Sequence, residues 1–100
     1  MKNTKIHNLK DDQVGLNDYI FSIYDNVAQV FEPPFTEKNK GTAIRRIQDL
    51  IQNNVNSPYA KFPDNFVLFH IGYYDNSVAG ILDLEPEQVI TFLELTDKKE

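Results

Sequence analysis

The chain has 100 residues, of which 41% are hydrophobic and 25% charged, and it contains no cysteine. This length suits one domain, and the composition is close to that of globular proteins with a packed core. The lack of cysteine excludes disulfides and thiolate metal sites, and the net charge of -5 argues against a molecule drawn as a whole to nucleic acid.

The first segment, residues 1–16, is polar and lacks hydrophobic periodicity, which predicts a flexible arm. No apolar signal-peptide core follows its basic start, and no apolar run approaches the length of a membrane span. We therefore expect a cytosolic protein without membrane contact. A single folded domain is predicted over residues 17–96, with a frayed tail over residues 97–100.

Two runs rich in aromatic and β-branched residues come next, YIFSIYD over residues 19–25 and VAQVF over residues 27–31. The Asp-Asn pair at their junction predicts a hairpin turn. The second strand is expected to end at Pro33 and Pro34, because a proline cannot donate a backbone hydrogen bond to a sheet.

The hydrophobic period changes over residues 36–54. Apolar residues recur there at steps of three and four: Ala43, Ile44, Ile47, Leu50 and Ile51. This pattern predicts an amphipathic helix that buries one face. Thr36 and Asn39 are both candidate N-caps, since their side chains accept hydrogen bonds from the free N–H groups of a first turn.

A second hairpin is predicted from residues 66–74 and 77–84, again around an Asp-Asn pair. A short C-terminal element begins at Pro86. We favour a helix there, although the alternation of apolar residues from Val89 also fits a strand. The order β-β-α-β-β plus this element predicts an α+β fold: a small four-stranded antiparallel sheet with one amphipathic helix on one face.

The runs at 19–25 and 66–74 are apolar on both faces, whereas a sheet with one wet face alternates apolar and polar residues. Simple alternation places Phe69, Ile71 and Tyr73 together on one of these faces. We predict a homodimer that buries this face through those three residues, since large exposed apolar patches mark interfaces. The alternative is that the arm and the C-terminus of the same chain cover both faces.

The sequence shows no pattern of catalytic or metal-binding residues. His7 and His70 lack convergent ligands or an orienting partner at a suggestive spacing. His70 is more simply interpreted as a hydrogen-bonded core or interface residue, and the acidic C-terminal quarter as a solvated surface. We expect a protein that is not an enzyme and that uses no metal or other cofactor.

The candidate nucleic-acid-binding residues are four cations before and within the first turns of the predicted helix: Lys38, Lys40, Arg45 and Arg46. Their charges and the free N–H groups of a helix N-terminus both favour phosphate. Base stacking is a second candidate feature, if the tyrosines lie on an open sheet face: Tyr19, Tyr24, Tyr73 and Tyr74. The alternative is an ordinary salt-bridged helix surface, in which Arg45 and Arg46 pair with Asp49.

Four pieces of the chain, in order and spacing, resemble the small nonstructural protein of gokushoviruses, the microvirus subfamily of small single-stranded DNA phages. They are FSIYDNVAQVFEPPF, NKGTAIRRIQDLI, FPDNFVLFHIGYYDNSVAGIL and LEPEQV, and they lie between residues 18 and 95. The resemblance implies a nonstructural protein in the cytoplasm of an infected bacterial host. It also implies DNA binding, or a role in the synthesis and packaging of the single-stranded genome.

Two functions therefore stay open at the level of sequence. The first is a dimeric protein that binds single-stranded DNA during phage genome synthesis. The second is an acidic dimeric adaptor that binds a phage or host replication protein without touching DNA, which the charge of -5 and the two-faced strands favour.

Overall fold

The structure is a computed structural model, and it describes residues 18–97. The predicted N-terminal arm, residues 1–16, lies outside the described residues. Residues 98–100 of the predicted tail also lie outside them.

Five described strands form one antiparallel sheet: β1 (Asp18–Asp25), β2 (Val30–Phe31), β3 (Phe35–Glu37), β4 (Phe66–Asp75) and β5 (Gly80–Thr91). β1 and β4 are central, and β5 pairs with the outer edge of β4. β2 and β3 pair with opposite halves of the free edge of β1. The predicted α+β class and antiparallel sheet are confirmed, with β3 as a strand that the sequence did not indicate.

Three α-helices complete the described fold: α1 (Lys40–Asn53), α2 (Pro58–Lys61) and α3 (Phe92–Asp97). Asn39 caps α1, because its side chain accepts from the Thr42 N–H at 2.9 Å while its own N–H donates to the Thr42 hydroxyl at 3.2 Å. The helix begins at Lys40 and not at residue 36, since Phe35–Glu37 pairs with β1.

Both hairpin turns are built on an aspartate. The Asp25 carboxylate accepts from the Val27 and Ala28 N–H groups, and the Asp75 carboxylate accepts from the Ser77 N–H and hydroxyl. Each turn ends on a left-handed residue next to a strand, Gln29 with φ 61° and Ala79 with φ 57°. The first turn takes up most of the predicted strand 27–31, which is why β2 has only two residues.

The C-terminal element differs from the favoured prediction. Residues 86–91 continue strand β5, in agreement with the alternative prediction of a strand in this region, and α3 starts only at Phe92. Between the pairs Gly72–Asp83 and His70–Glu87, three residues of β5 face one residue of β4. Pro86 lies in this bulge, outside the hydrogen-bonded ladder, so a proline is tolerated within the strand.

The core lies between α1 and one face of the sheet, which we call the helix face. Its buried residues are Phe21, Ile23, Ala43, Ile47, Ile51, Phe66, Leu68 and Phe92. Burial of each large side chain contributes about 1.5–3 kcal/mol. The predicted amphipathic helix therefore covers one face only, and the opposite side, the second face, carries Tyr24, Phe31 and Phe69 in mutual ring contact.

A bulge in β4 corrects the predicted grouping of Phe69, Ile71 and Tyr73. Ile20 pairs with Gly72, but the next residue of β1, Phe21, pairs with His70, so Ile71 is an extra residue. The extra residue inverts the alternation after it. Tyr73 consequently lies opposite Tyr19 on the helix face, while Phe69 and Ile71 lie on the second face.

Candidate nucleic-acid interface

The four predicted cations lie between the end of β3 and the second turn of α1. Lys38 follows β3, Lys40 is the first residue of α1, and Arg45 and Arg46 are in its second turn. All four are exposed. The structure therefore keeps the predicted basic segment on an accessible surface.

Three of the four cations are paired with carboxylates. Lys38 Nζ lies 3.2 Å from Asp18 Oδ1 and Lys40 Nζ 3.7 Å from Glu87 Oε1. Arg46 lies 3.0 Å from Glu37 Oε2. Asp18 and Glu87 come from β1 and β5, and no local sequence signal linked them to the basic segment.

Arg45 and Arg46 do not pair with Asp49 as the alternative interpretation expected; within residues 18–97 neither forms an ion pair with it. Strand β3 brings Glu37 beside Arg46, and the Arg46 guanidinium also lies 4.3 Å above the Phe35 ring. Among the described residues Arg45 has no carboxylate partner. It is the cation of the basic segment that is best placed to meet an external anion.

The charge of the basic segment is nearly balanced. Four cations face three paired carboxylates, which leaves one net positive charge. The cation of each pair is exposed, and Glu87 is exposed too, whereas Asp18 and Glu37 are partly buried. Ion pairs at the protein surface contribute only about 0–1 kcal/mol. A surface with one net positive charge exerts only a weak long-range attraction on a polyanion.

Two of the four tyrosines lie next to the basic segment. The Tyr19 and Tyr73 rings are 4.9 Å apart, and His70 stacks on Tyr19 at 4.9 Å. Burial, followed by the neighbouring Tyr19, raises the pKa of Tyr73. Tyr24 belongs to the second face, and Tyr74 pairs with Asp18, so the structure does not gather the tyrosines into one stacking platform.

His70 is buried beneath this end of α1, as its interpretation as a core residue predicts; it is 1% exposed. Its Nε2 lies 3.0 Å from the Gly72 carbonyl oxygen, which only accepts, so Nε2 carries the proton. Its Nδ1 has no hydrogen-bond partner and lies 3.8 Å from Glu87 Oε1. Burial lowers the pKa of His70 and outweighs the Gly72 carbonyl and Glu87, which raise it.

The second face carries a different kind of surface. Phe31 is 46% exposed and its ring lies 4.7 Å from Tyr24 and 5.3 Å from Phe69. A groove of about 530 Å³ runs beside it, lined by Ser22, Phe31, Glu32, Pro33, Pro34, Ile71 and Pro86. No cation within residues 18–97 lines this groove, so the second face suits an apolar protein contact better than a phosphate backbone.

Two further classes of site can be addressed within residues 18–97. No described group of three or more histidine, aspartate or glutamate side chains is arranged to hold a metal ion. None of the described helices has the length and apolar character needed to cross a membrane.

These features define a small α+β protein in which a curled antiparallel sheet is crossed by one amphipathic helix. The chain belongs to the Phage ORF5 protein family, whose model matches residues 18–95. The match begins at the first residue of β1 and ends within α3, so it covers almost all of the described fold. No curated protein and no solved structure matches the chain.

Proposed function

We propose that this phage protein is a nonstructural protein that binds single-stranded DNA during synthesis or packaging of the viral genome, in the cytoplasm of the infected bacterium. The observation that carries the proposal is the exposed basic segment at the start of α1. One of its cations has no carboxylate partner among the described residues, and the other three are exposed side chains that form ion pairs. The gokushovirus resemblance supports a single-stranded viral genome as the target.

The neighbourhood of the basic segment favours a single strand over a duplex. The rings of Phe35 and Tyr19 are half-buried beside the cations and leave part of their surface to solvent. A single strand can turn unstacked bases toward such rings, whereas a duplex presents mainly its phosphates. The proposed role is binding alone, with no catalytic step and no cofactor.

The proposal is tested by gel shift with single- and double-stranded DNA at two salt concentrations. Four phosphate contacts give a slope near 3 in log affinity against log salt, at about 0.7 per contact for single strands. Arg45→Ala with Arg46→Ala should weaken binding to all sequences alike and flatten the slope by about 1.4.

Lys61→Ala provides the matched control, because Lys61 is an exposed cation in α2, outside the basic segment. It should leave the salt slope unchanged. If the arginine double variant binds as the parent does, the basic segment is only a solvated helix surface. No binding at low salt by the parent protein would overturn DNA binding altogether.

The second candidate function is an acidic dimeric adaptor that holds a phage or host replication protein. The exposed aromatic surface of the second face favours it, because Phe31 is half-exposed beside a groove that no described cation lines. The net charge of -5 points the same way. If the protein is such an adaptor, the parent protein should bind a replication protein and Phe31 variants should bind it less. Added DNA should not change this binding.

A further inference from the structure

We propose that Lys40 and His70 form a binding subsite for one phosphodiester group, and that the Glu87 carboxylate occupies the phosphate position in the free protein. This inference rests on the proposed binding of single-stranded DNA and assigns residues to one of its contacts. It adds a histidine from the sheet to a site otherwise made of cations around α1.

The convergence of two nitrogens carries the inference. Glu87 Oε1 lies 3.7 Å from Lys40 Nζ and 3.8 Å from His70 Nδ1. The two nitrogens come from different elements, α1 and β4, while the carboxylate comes from β5. One anionic oxygen thus lies between two potential donors, as a phosphate oxygen does in a protein site.

The Nδ1 atom of His70 is a buried polar atom with no hydrogen bond, and buried polar atoms are normally paired. Nε2 carries the ring proton and donates it to the Gly72 carbonyl, so Nδ1 of a neutral ring has only a lone pair. The nearest charged group is the Glu87 carboxylate, which has no proton to donate to that lone pair. A protonated ring instead donates from Nδ1 to an anion. Nδ1 therefore forms a hydrogen bond only when it is protonated and an anion lies beside it.

Glu87 holds that position loosely. Its side chain is 61% exposed, and both of its contacts exceed the length of a hydrogen bond. Lys40 is the first residue of α1, where the helix end also favours an anion. Phosphate is thus expected to displace the Glu87 side chain into solvent.

Binding at this subsite should take up a proton. A phosphodiester has no proton to donate to a neutral Nδ1, so the bound ring must be the protonated one. The titratable or charged groups around the His70 ring are Glu87 on β5, Lys40 on α1, Tyr19 on β1 and Tyr73 on β4. In the free protein, burial and Lys40 disfavour the positively charged form of the His70 ring. A bound phosphate favours that form, because it places a negative charge beside the ring.

The test measures affinity for an oligo-deoxythymidine from about pH 8 to about pH 6, in full-length protein carrying His7→Asn so that His70 is its one histidine. The expected affinity rises as pH falls, by up to about tenfold per pH unit at pH values above the pKa of His70 in the free protein and below its pKa in the complex, and it levels off below the free value. His70→Gln should abolish this rise, because the amide nitrogen can keep the Gly72 bond while Nδ1 is lost. Glu87→Gln should bind several-fold more tightly than the parent, and Lys40→Met more weakly.

A second readout keeps the inference testable if His70→Gln fails to fold. Inorganic phosphate, added to the His7→Asn protein, should raise the pKa of His70 in proton NMR, and Lys40→Met should reduce that rise. A flat His70 titration with phosphate, or a pH dependence unchanged in His70→Gln, would overturn the subsite while DNA binding stands. If the protein binds no DNA but phosphate still raises the pKa of His70, the proposed function fails and the phosphate subsite remains.

Discussion

Gly72 lies on β4 where the backbone of β5 leaves no room for a side chain. A Cβ atom placed on it would be 2.5 Å from the carbonyl oxygen of Leu82, a backbone atom that cannot rotate away. Gly72→Ala should therefore lower the free energy of unfolding by about 1–3 kcal/mol, measured by urea denaturation. In Gly80→Ala the nearest atom is a methyl of Val78 at 3.3 Å, which can turn aside, so a change within about 0.5 kcal/mol is expected. Equal losses in the two variants would contradict this account.

Tyr59 joins α2 to the segment that follows β2. Its hydroxyl donates to Glu32 Oε1 at 2.6 Å, and burial together with this bond raises the pKa of Tyr59 from 10.0 to about 12. Because the pKa is higher in the folded state, the stabilisation is fully present below the unfolded value of 10.0 and is lost as pH rises through about 12.

Tyr59→Phe removes this titration and should lower the free energy of unfolding by about 1 kcal/mol at neutral pH. The loss of stability between pH 10.0 and about 12 should then be smaller than in the parent. Thermal unfolding followed across that range measures both effects. A variant whose melting temperature falls with pH as steeply as that of the parent would show that titration of Tyr59 is not the cause.

At the scale of elements, α1 depends on a cap that the sequence had indicated as one of two candidates. Asn39 satisfies the Thr42 N–H, and no acidic residue supports the first turn. Asn39→Ala should cost about 1 kcal/mol in the free energy of unfolding by urea. Asn53→Ala, at an exposed position in the last turn of the same helix, is the matched control and should change little. A loss confined to Asn53→Ala would refute the role of the cap.

Helix α3 also begins with a pair of reciprocal capping hydrogen bonds. The Thr91 N–H donates to the Glu94 carboxylate, and the Glu94 N–H donates to the Thr91 hydroxyl. The Thr91 N–H, followed by the Thr91 hydroxyl, lowers the pKa of Glu94. The spacing of Thr91 and Glu94 is visible in the sequence, and it marks the start of α3 better than Pro86 does.

For the whole molecule, the oligomeric state depends on whether a second copy covers the second face. If a second copy covers it, light scattering should give about twice 11.6 kDa, and Phe31→Asp should shift the mass toward 11.6 kDa by placing a charge in the apolar contact. Phe62→Asp is the control, because Phe62 is 53% exposed and lies outside the groove. A clean monomer for the parent at micromolar concentration would remove the dimer.

The bulge in β4 changes which variants test that assembly. Phe69 and Ile71 lie on the second face, but Tyr73 contacts Tyr19 and His70 on the helix face. A charge at position 73 would therefore disturb the packed core, whatever the oligomeric state. Phe31, which the sequence did not single out, is the better probe because it is more exposed and lies at the edge of the sheet.

Local patterns in the sequence were sufficient for the class of fold, the helix of α1 and the two aspartate turns. These features depend on neighbours a few residues apart: the four-residue spacing of Ala43, Ile47 and Ile51, and the Asp-Asn pairs at the turns. The same local information located the basic segment, since its cations are close in the chain. It also matched the chain to a phage protein over the range that the family model covers.

Which groups meet at the site depends on contacts between distant parts of the chain. The extra residue in β4 and the bulge around Pro86 arise from pairing between strands, and a shift of one residue moves a side chain to the other face. That pairing sends Tyr73 to the helix face and brings Glu87 to Lys40 and His70. The sequence determines which charged residues exist. Their partners depend on strand register, which is set by contacts between residues far apart in the chain.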